Sequence, residues 1–246
     1  MTPTESFISH LIELRNRLLR IVLGFVLVFF VLFPFANKIY ALLAAPMLAK
    51  LPAGSHMIAT AVTTPFFVPM KVAMMAAFVL SLPHTLYQIW AFVAPGLYAH
   101  EKKLMVPVIT ASSLLFLAGM AFAYFAVFPV VFGFIVGSAP VGVAVMTDIA
   151  EYLDFVMTLF MAFGLAFEVP IAVVLIAHFG WVTIAQLKEA RSYVIVGAFI
   201  LGAIFTPPDI ISQFMLAVPL WLLYEAGIVV AQMTTPKPAQ ENSIKP

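Results

Sequence analysis

The stretch His10-Leu-Ile-Glu-Leu-Arg-Asn-Arg17 places one carboxylate and two guanidinium groups directly before a long apolar segment that begins at Leu18. On a helix, His10, Glu13 and Arg17 share one face, whereas Leu11 and Leu14 share another. Glu13 precedes Arg17 by four residues, the order that favours an ion pair along a helix. A charged helix at the start of an apolar span predicts one of two roles. It binds a charged ligand at the membrane surface, or it is a lead-in helix whose arginines only fix topology.

Composition identifies an integral membrane protein. The 246 residues are 64% hydrophobic and 9% charged, with a mean hydropathy of +1.11, whereas soluble domains carry about 25% charged residues. The net charge of +1 and the lack of a basic run give no support for binding to nucleic acid. The chain has no cysteine, which excludes disulfides, thiolate catalysis and cysteine-ligated metals. The first apolar run is long enough to span, so it is interpreted as a retained signal anchor.

Six apolar segments predict an all-α, polytopic membrane protein with six transmembrane helices. They cover residues 18–36, 69–93, 107–128, 152–179, 193–206 and 210–230, and a span needs about 20 helical residues. Pro83, Pro170 and Pro219 lie inside the second, fourth and sixth segments, where each predicts a kink. The fifth segment has about 14 residues, or about 21 Å of helix, which is too short for a full crossing. The last two spans are therefore expected to thin the bilayer or to pack inside a larger assembly.

Basic residues concentrate on one side of the predicted spans, which places both termini inside, in the cytoplasm of a bacterium. The predicted inner side holds nine of them: Arg15, Arg17, Arg20, Lys102, Lys103, Lys188, Arg191, Lys237 and Lys245. The predicted outer side holds three lysines, Lys38, Lys50 and Lys71, and its second long connection gathers Asp148, Glu151 and Asp154.

Two long outer connections, residues 37–68 and 129–151, are predicted to form a cap over the outer face. The first contains a short amphipathic piece, residues 39–48, which Pro46 is expected to break. The second contains Gly133 and Gly137 and is predicted to be a loop. Residues 1–233 are predicted to form one membrane domain and residues 234–246 a disordered cytoplasmic tail.

Glu168 is a carboxylate within the fourth apolar segment, in Phe163-Gly-Leu-Ala-Phe-Glu-Val-Pro170. An acid at this depth costs several kcal/mol unless it is protonated, hydrated or paired, so it is a functional candidate. The alternative is a neutral side chain that hydrogen-bonds a neighbouring helix.

Glu101, in the loop between the second and third segments, lies on the same predicted inner face as Glu13. Two carboxylates at headgroup level can receive two guanidinium groups through charge-assisted bonds, although Glu101 alone could be an ordinary solvated charge. At the outer turn Thr206-Pro-Pro-Asp209, Asp209 is placed to cap the sixth helix. Gln213, one turn further, is expected to bond a helix of this chain or of a partner.

Enzyme signatures are absent from the sequence. It contains no phosphate-binding loop, no His-Glu-x-x-His and no Gly-x-Ser-x-Gly, and its five histidines do not cluster. We therefore predict no catalytic residues, no metal, no cofactor and no enzymatic activity. Two non-enzymatic alternatives to a receptor stay open. One is an ion-coupled secondary transporter with Glu168 as its proton site. Such transporters are usually built from two repeats, and no matching repeat is visible in this sequence. The other is a structural scaffold, which leaves the two inner acids unexplained.

Four motifs together resemble the TatC family, the multispanning receptor subunit of the twin-arginine protein translocase. The resemblance covers about residues 7–231. Its motifs are His10 to Arg17, Ser81-Leu-Pro83 with Tyr87-Gln-Ile-Trp-Ala-Phe-Val-Ala-Pro95 and Glu101, Phe163 to Pro170, and Thr206-Pro-Pro-Asp-Ile-Ile-Ser-Gln213.

The resemblance implies binding of the Arg-Arg signal peptides of folded cargo at the cytoplasmic face of the inner membrane. It implies the single-span partners TatB and TatA, self-association in a multi-subunit receptor complex, and transport driven by the proton-motive force. Glu13 and Glu101 would contact the twin arginines, while Arg15, Arg17 and Phe92 would shape that surface.

The resemblance also assigns roles elsewhere. Pro46 would belong to the outer cap, and Glu168 would be the intramembrane carboxylate on the concave side. Thr206 and Gln213 would belong to a polar patch where a partner helix docks.

Overall fold

A computed structural model describes residues 3–52, 56–93, 105–140, 146–205 and 210–234, and for residues 3–7 and 93 it describes the backbone alone. Apart from one isolated bridge, these residues contain only helices and turns, which confirms the all-α prediction. The helices are α1 (Pro3–Leu32), α2 (Ala36–Leu48), α3 (Thr64–Val93), α4 (Met105–Phe122), α5 (Phe128–Gly137), α6 (Ile149–Phe167), α7 (Val169–His178), α8 (Ile184–Glu189), α9 (Arg191–Phe205) and α10 (Ile210–Thr234). A 3₁₀ turn, Phe33–Phe35, joins α1 to α2, and a π-helical turn, Ala123–Val127, joins α4 to α5.

Five helical segments within the described residues are long and apolar enough to cross a membrane. They are Ile8–Leu48, Thr64–Phe92, Met105–Gly137, Ile149–His178 and Ile210–Thr234. The apolar helix α9 is shorter, with 15 residues, which correspond to about 22 Å. This length agrees with the predicted short fifth span, whereas six full crossings and the orientation of the termini stay predictions.

The chain divides into two compact units, Met1–Gly164 and Leu165–Pro246. In the first unit, α1 packs along α3, and α3 also contacts α2 and α4. One buried cluster joins Val68 and Val72 of α3 to Leu153 of α6. Beyond the π-helical turn the buried rings pack in a tilted arrangement, with Phe128 5.4 Å from Phe132 and 5.0 Å from Phe160 between ring centroids.

In the second unit, α10 packs against α7 and α9. Its core consists of Val173, Ala177, Leu187, Tyr224, Ile228 and Ala231. Gly227 permits the close approach of α10 to α7, because a Cβ there would lie 2.9 Å from Cα of Pro170. The hydroxyl of Tyr224 donates to the carbonyl of Leu187 at 2.8 Å, and Arg191 pairs with Glu225 at 2.7 Å. These contacts fix α8 and the start of α9 on α10.

The predicted break at Pro46 is wrong, because α2 continues through Pro46 to Leu48. Pro46 cannot donate the backbone hydrogen bond that would normally reach the carbonyl of Leu42. The hydroxyl of Tyr124 donates to that carbonyl instead, at 2.8 Å. Tyr152 donates to the next carbonyl, that of Leu43, at 2.6 Å. The Tyr124 hydroxyl therefore supplies the donor that the proline removes, and the helix persists.

The predicted loop after Phe128 is also wrong over its first part, since α5 extends to Gly137. Pro129 stands in the first turn of α5, directly after the π-helical turn, where its fixed φ suits a helix. Phe128, Val131 and Phe132 are buried on one face, and this burial outweighs the weak helix propensity of the two glycines.

The two connections assigned to the outer cap are tied together. Ile58 donates to the carbonyl of Thr147 at 3.0 Å, and Ile149 donates back to the carbonyl of Ile58 at 2.9 Å. The carboxylate of Asp148 accepts from the backbone N–H of Thr60 at 2.9 Å and from its hydroxyl at 2.7 Å. These hydrogen bonds from Thr60 lower the pKa of Asp148 to about 2. We call this contact between residues 58–60 and 147–149 the outer tie.

Candidate functional site

Among the described residues, three contacts join α1 to α3 in antiparallel order. His10 stacks on Phe92 with ring centroids 4.4 Å apart. Arg17 donates through Nη1 to Oε1 of Gln88 at 3.4 Å. The imidazole Nε2 of His84 lies 3.1 Å from the carbonyl oxygen of Arg20. The α3 members are spaced by four residues and therefore share one helix face. We call these three contacts the α1–α3 seam.

The predicted ion pair between Glu13 and Arg17 is confirmed. Arg17 donates to Oε1 of Glu13 through Nε at 2.9 Å and through Nη2 at 2.7 Å. The side chains of Arg17 and Glu13 are 19% and 34% exposed, while Gln88 is buried. Both bonds end on the same carboxylate oxygen, so Oε2 takes no part in this pair.

An open polar groove of about 290 Å³ runs along α1 beside this pair. Its lining residues are Ser9, Ile12, Glu13, Asn16, Arg17 and Arg20. The groove combines one carboxylate with two guanidinium groups and two neutral polar side chains. A charged or hydrogen-bonding ligand can therefore be held by direct bonds along one face of the helix.

Of the other residues predicted for the binding surface at the inner face, the structure describes Arg15 and Phe92. Arg15 is exposed and is not among the groove residues, so it lies beside the groove. Phe92 is half-buried at the end of α3. Glu101 lies outside the described residues, so its approach to Glu13 stays a prediction.

Glu168 is the single residue between α6 and α7, within the apolar segment Ile149–His178. Its N–H donates to the carbonyl of Leu165 at 3.1 Å, and its carbonyl accepts from Ala172 at 3.0 Å. Pro170 follows in the first turn of α7, where proline is tolerated. The break between α6 and α7 at Glu168 therefore lies beside Pro170, where the sequence predicts a kink.

Gln213 forms its interhelical hydrogen bond within the chain. Its Nε2 donates to the carbonyl of Phe199 at 2.9 Å, and the ring of Phe199 packs edge-on against Phe214 at 4.9 Å. The sequence left open whether Gln213 bonds a helix of this chain or one of a partner, and in the structure it bonds a helix of this chain. Thr206 and Asp209 lie outside the described residues, so their roles as docking and capping residues stay predictions.

Sequence reasoning missed three residues that hold the groove and the cap: His84, Gln88 and Tyr124. His84 and Gln88 carried a detectable signal, since both are polar residues within an apolar span and both share a helix face with Phe92. Tyr124 carried none, because its acceptor lies 82 residues away in the chain.

The helices and the groove define a multi-pass helical membrane protein with a charged groove on its first long helix. The sequence model of the Sec-independent protein translocase protein (TatC) family matches residues 9–219. The TatC protein of Azotobacter chroococcum is 55% identical over 90% of this chain and 87% of its own length. That of Escherichia coli K12 is 54% identical over 92% of this chain and 87% of its own.

A crystal structure of the twin arginine translocase receptor TatC superposes with a TM-score of 0.76 at 38% identity, over 91% of this chain and 98% of the other. The chain belongs to the TatC family. It is a multi-pass protein of the bacterial inner membrane and a component of the Sec-independent protein translocase.

Proposed function

We propose that the groove on α1 is the binding site for the twin-arginine signal peptides of folded cargo. The observation that carries this proposal is the Glu13 carboxylate, which lines the groove while Arg17 engages only its Oε1. A carboxylate can accept up to about four hydrogen bonds, so a second guanidinium can bind through Oε2. Arg17 keeps the carboxylate oriented while this happens.

Charge balance explains why a second acid is required. Arg17 already compensates the charge of Glu13, and Arg20 adds another positive charge to the groove. Two incoming guanidinium groups would meet a net repulsion from α1 alone. Glu101, on the same predicted inner face, supplies the additional negative charge in this proposal.

The aromatic pair at the end of the α1–α3 seam supports a preference for arginine over lysine. The stacked rings of His10 and Phe92 offer a flat surface within reach of a ligand that leaves the groove at Ser9. A planar guanidinium stacks on such a surface and forms paired hydrogen bonds with a carboxylate, whereas an ammonium acts as a point charge.

Peptide binding to the protein in lipid nanodiscs tests this proposal. A labelled Arg-Arg peptide should bind more tightly than its Lys-Lys variant, and Glu13→Gln and Glu101→Gln should each weaken binding of the Arg-Arg peptide by roughly tenfold or more. The double variant should lose less than the sum of the single losses, because both acids serve one ligand. Glu189→Gln, an exposed acid of α8, is the matched control. Unchanged binding in the double variant would rule the site out.

We further propose that α9 and α10 present the docking surface for the single-span partners TatB and TatA, and that the proton-motive force drives transport. The short α9 and its exposed apolar side support this, and that side consists of Ile195, Val196, Ile200, Leu201 and Ile204. A cysteine at Val196 should crosslink to a partner span, while one at the buried Ala198 should not. Crosslinks confined to the first three spans would refute this assignment.

A further inference from the structure

His84 is a polar side chain within the apolar segment Thr64–Phe92, and it points to α1. A carbonyl oxygen can only accept a hydrogen bond, so Nε2 carries the proton in the contact with the carbonyl of Arg20. That carbonyl also lies four residues before Gly24 and serves the internal bonding of α1, and its two lone pairs allow both bonds. A histidine within a span is costly unless it is bonded in this way, which makes it a functional candidate.

Gly24 is the complement of His84 on α1. A Cβ at position 24 would lie 2.8 Å from Cδ2 and 3.1 Å from Nε2 of the imidazole. Side-chain atoms do not approach so closely, so the glycine leaves the space that the ring fills. The two positions therefore fit each other in shape as well as in hydrogen bonding, one turn beyond the last residue of the groove.

The contact reaches the groove through adjacent residues. Arg20, whose carbonyl His84 holds, is itself a groove residue. Gln88, one turn along α3 from His84, accepts a hydrogen bond from Arg17, and Arg17 also donates to Glu13. Anchoring α1 at Arg20 thus sets the rotation of α1 about its axis, and this rotation determines where the Glu13 carboxylate faces.

We infer that His84 is a positioning residue for signal-peptide recognition: by anchoring Arg20 beside Gly24, it fixes the orientation of the α1 groove against α3. This inference rests on the proposed function of the groove, but the anchoring itself can be measured without a peptide. His84 does not touch the ligand; it acts through α1.

Two readouts test this in the full chain in nanodiscs. The first is binding of the Arg-Arg and Lys-Lys peptides. His84→Leu should weaken Arg-Arg binding by about fivefold to tenfold, the effect of a lost hydrogen bond, and it should reduce the ratio of the two affinities. His84→Gln, whose amide can donate to the same carbonyl, should retain most of the affinity for the Arg-Arg peptide and most of the affinity ratio. His178→Leu, the same change in the second unit, is the matched control.

The second readout is the distance between α1 and α3, reported by dipolar broadening between spin labels at Leu19→Cys and Tyr87→Cys; the chain has no native cysteine. His84→Leu should broaden the distance distribution and His84→Gln should not. Gly24→Ala displaces the imidazole without removing it and should act like His84→Leu, which keeps the test decisive if His84→Leu fails to accumulate.

Label spectra that match the unsubstituted pair in both His84→Leu and Gly24→Ala would overturn the inference, whatever the peptides do. Altered spectra with an unchanged affinity ratio would overturn the positioning role. If the unsubstituted protein fails to distinguish Arg-Arg from Lys-Lys, the proposed function of the groove fails, and the spectra then decide the anchoring alone.

Discussion

The hydroxyl of Tyr124 donates a hydrogen bond of 2.8 Å to the carbonyl of Leu42, the acceptor that Pro46 cannot serve. Proline inside a helix leaves the carbonyl four residues earlier without its backbone donor, which costs more in an apolar environment than in water. Tyr124 stands in the π-helical turn between α4 and α5. A local irregularity in one helix thus compensates a local defect in another.

Tyr124→Phe should lower the free energy of unfolding by about 1–2 kcal/mol, because the Leu42 carbonyl loses its donor. In the Pro46→Ala background the same substitution should cost much less, since the alanine restores a backbone N–H donor to the carbonyl of Leu42. Denaturant unfolding in detergent, followed by tryptophan fluorescence, measures the four proteins of this cycle. Tyr193→Phe, which changes an exposed hydroxyl, is the control. Equal costs in both backgrounds would contradict the compensation.

Gly24→Ala should destabilise the protein only while His84 is present. The new Cβ would lie 2.8 Å from the imidazole, so the ring must move and its hydrogen bond is lost. In the His84→Ala background the same substitution should be neutral or stabilising, because alanine exceeds glycine in helix propensity by up to about 1 kcal/mol. Thermal unfolding of the four proteins measures this coupling, and simple additivity of the two changes would disprove the contact.

Asp148→Asn should loosen the outer tie at neutral pH. The pKa of Asp148 is lowered from 3.8 to about 2, so the folded state favours the carboxylate. The stabilisation is therefore complete above about pH 4 and is lost as the pH falls through about 2. Amide hydrogen exchange at Ile58 and Thr60 should be faster in Asp148→Asn at pH 7 and nearly equal in both proteins near pH 2. Glu151→Gln, at a neighbouring exposed carboxyl, should leave the exchange unchanged.

Glu168→Ala should leave membrane insertion and signal-peptide binding intact, because the span becomes more apolar and the α1 groove is untouched. Export of folded cargo should fall if the carboxylate acts after binding. Glu168→Gln separates two roles: it should retain export if a hydrogen bond suffices and should behave like alanine if ionisation is needed. Export assays at native expression make the comparison, with Leu165→Ala, an exposed residue one turn earlier, as control. Normal export by Glu168→Ala would leave Glu168 a structural polar group.

Local patterns in the sequence predicted the features that depend on local physics. The spacing of Glu13 and Arg17 was sufficient for their ion pair, because four residues bring two side chains together on any helix. The apolar runs predicted the long helices because the length and hydropathy of a segment are also local properties of the sequence. Pro170 likewise indicated the change of helix at Glu168.

Features that depend on contacts between distant segments could not be predicted. The continuity of α2 through Pro46 requires a hydroxyl from residue 124, and the seam requires knowledge of which faces of α1 and α3 meet. Gly133 and Gly137 indicated a loop because glycine disfavours helices, but burial of Phe128 and Phe132 outweighs that preference. The helix propensity of glycine can be inferred from a single sequence, whereas the burial of these phenylalanines cannot.

The π-helical turn Ala123–Val127 also constrains how this region can change over evolutionary time. A π turn contains one residue more than an α turn, and its wider circuit accommodates that residue while the helix beyond it keeps its facing. Loss of one residue at this turn would therefore give a regular α-helix and leave Phe128 and Phe132 buried. A residue gained or lost in the regular helix on either side has no such accommodation and would turn everything beyond it by about 100°. Along this helix, a deletion is therefore tolerated best at the π turn itself.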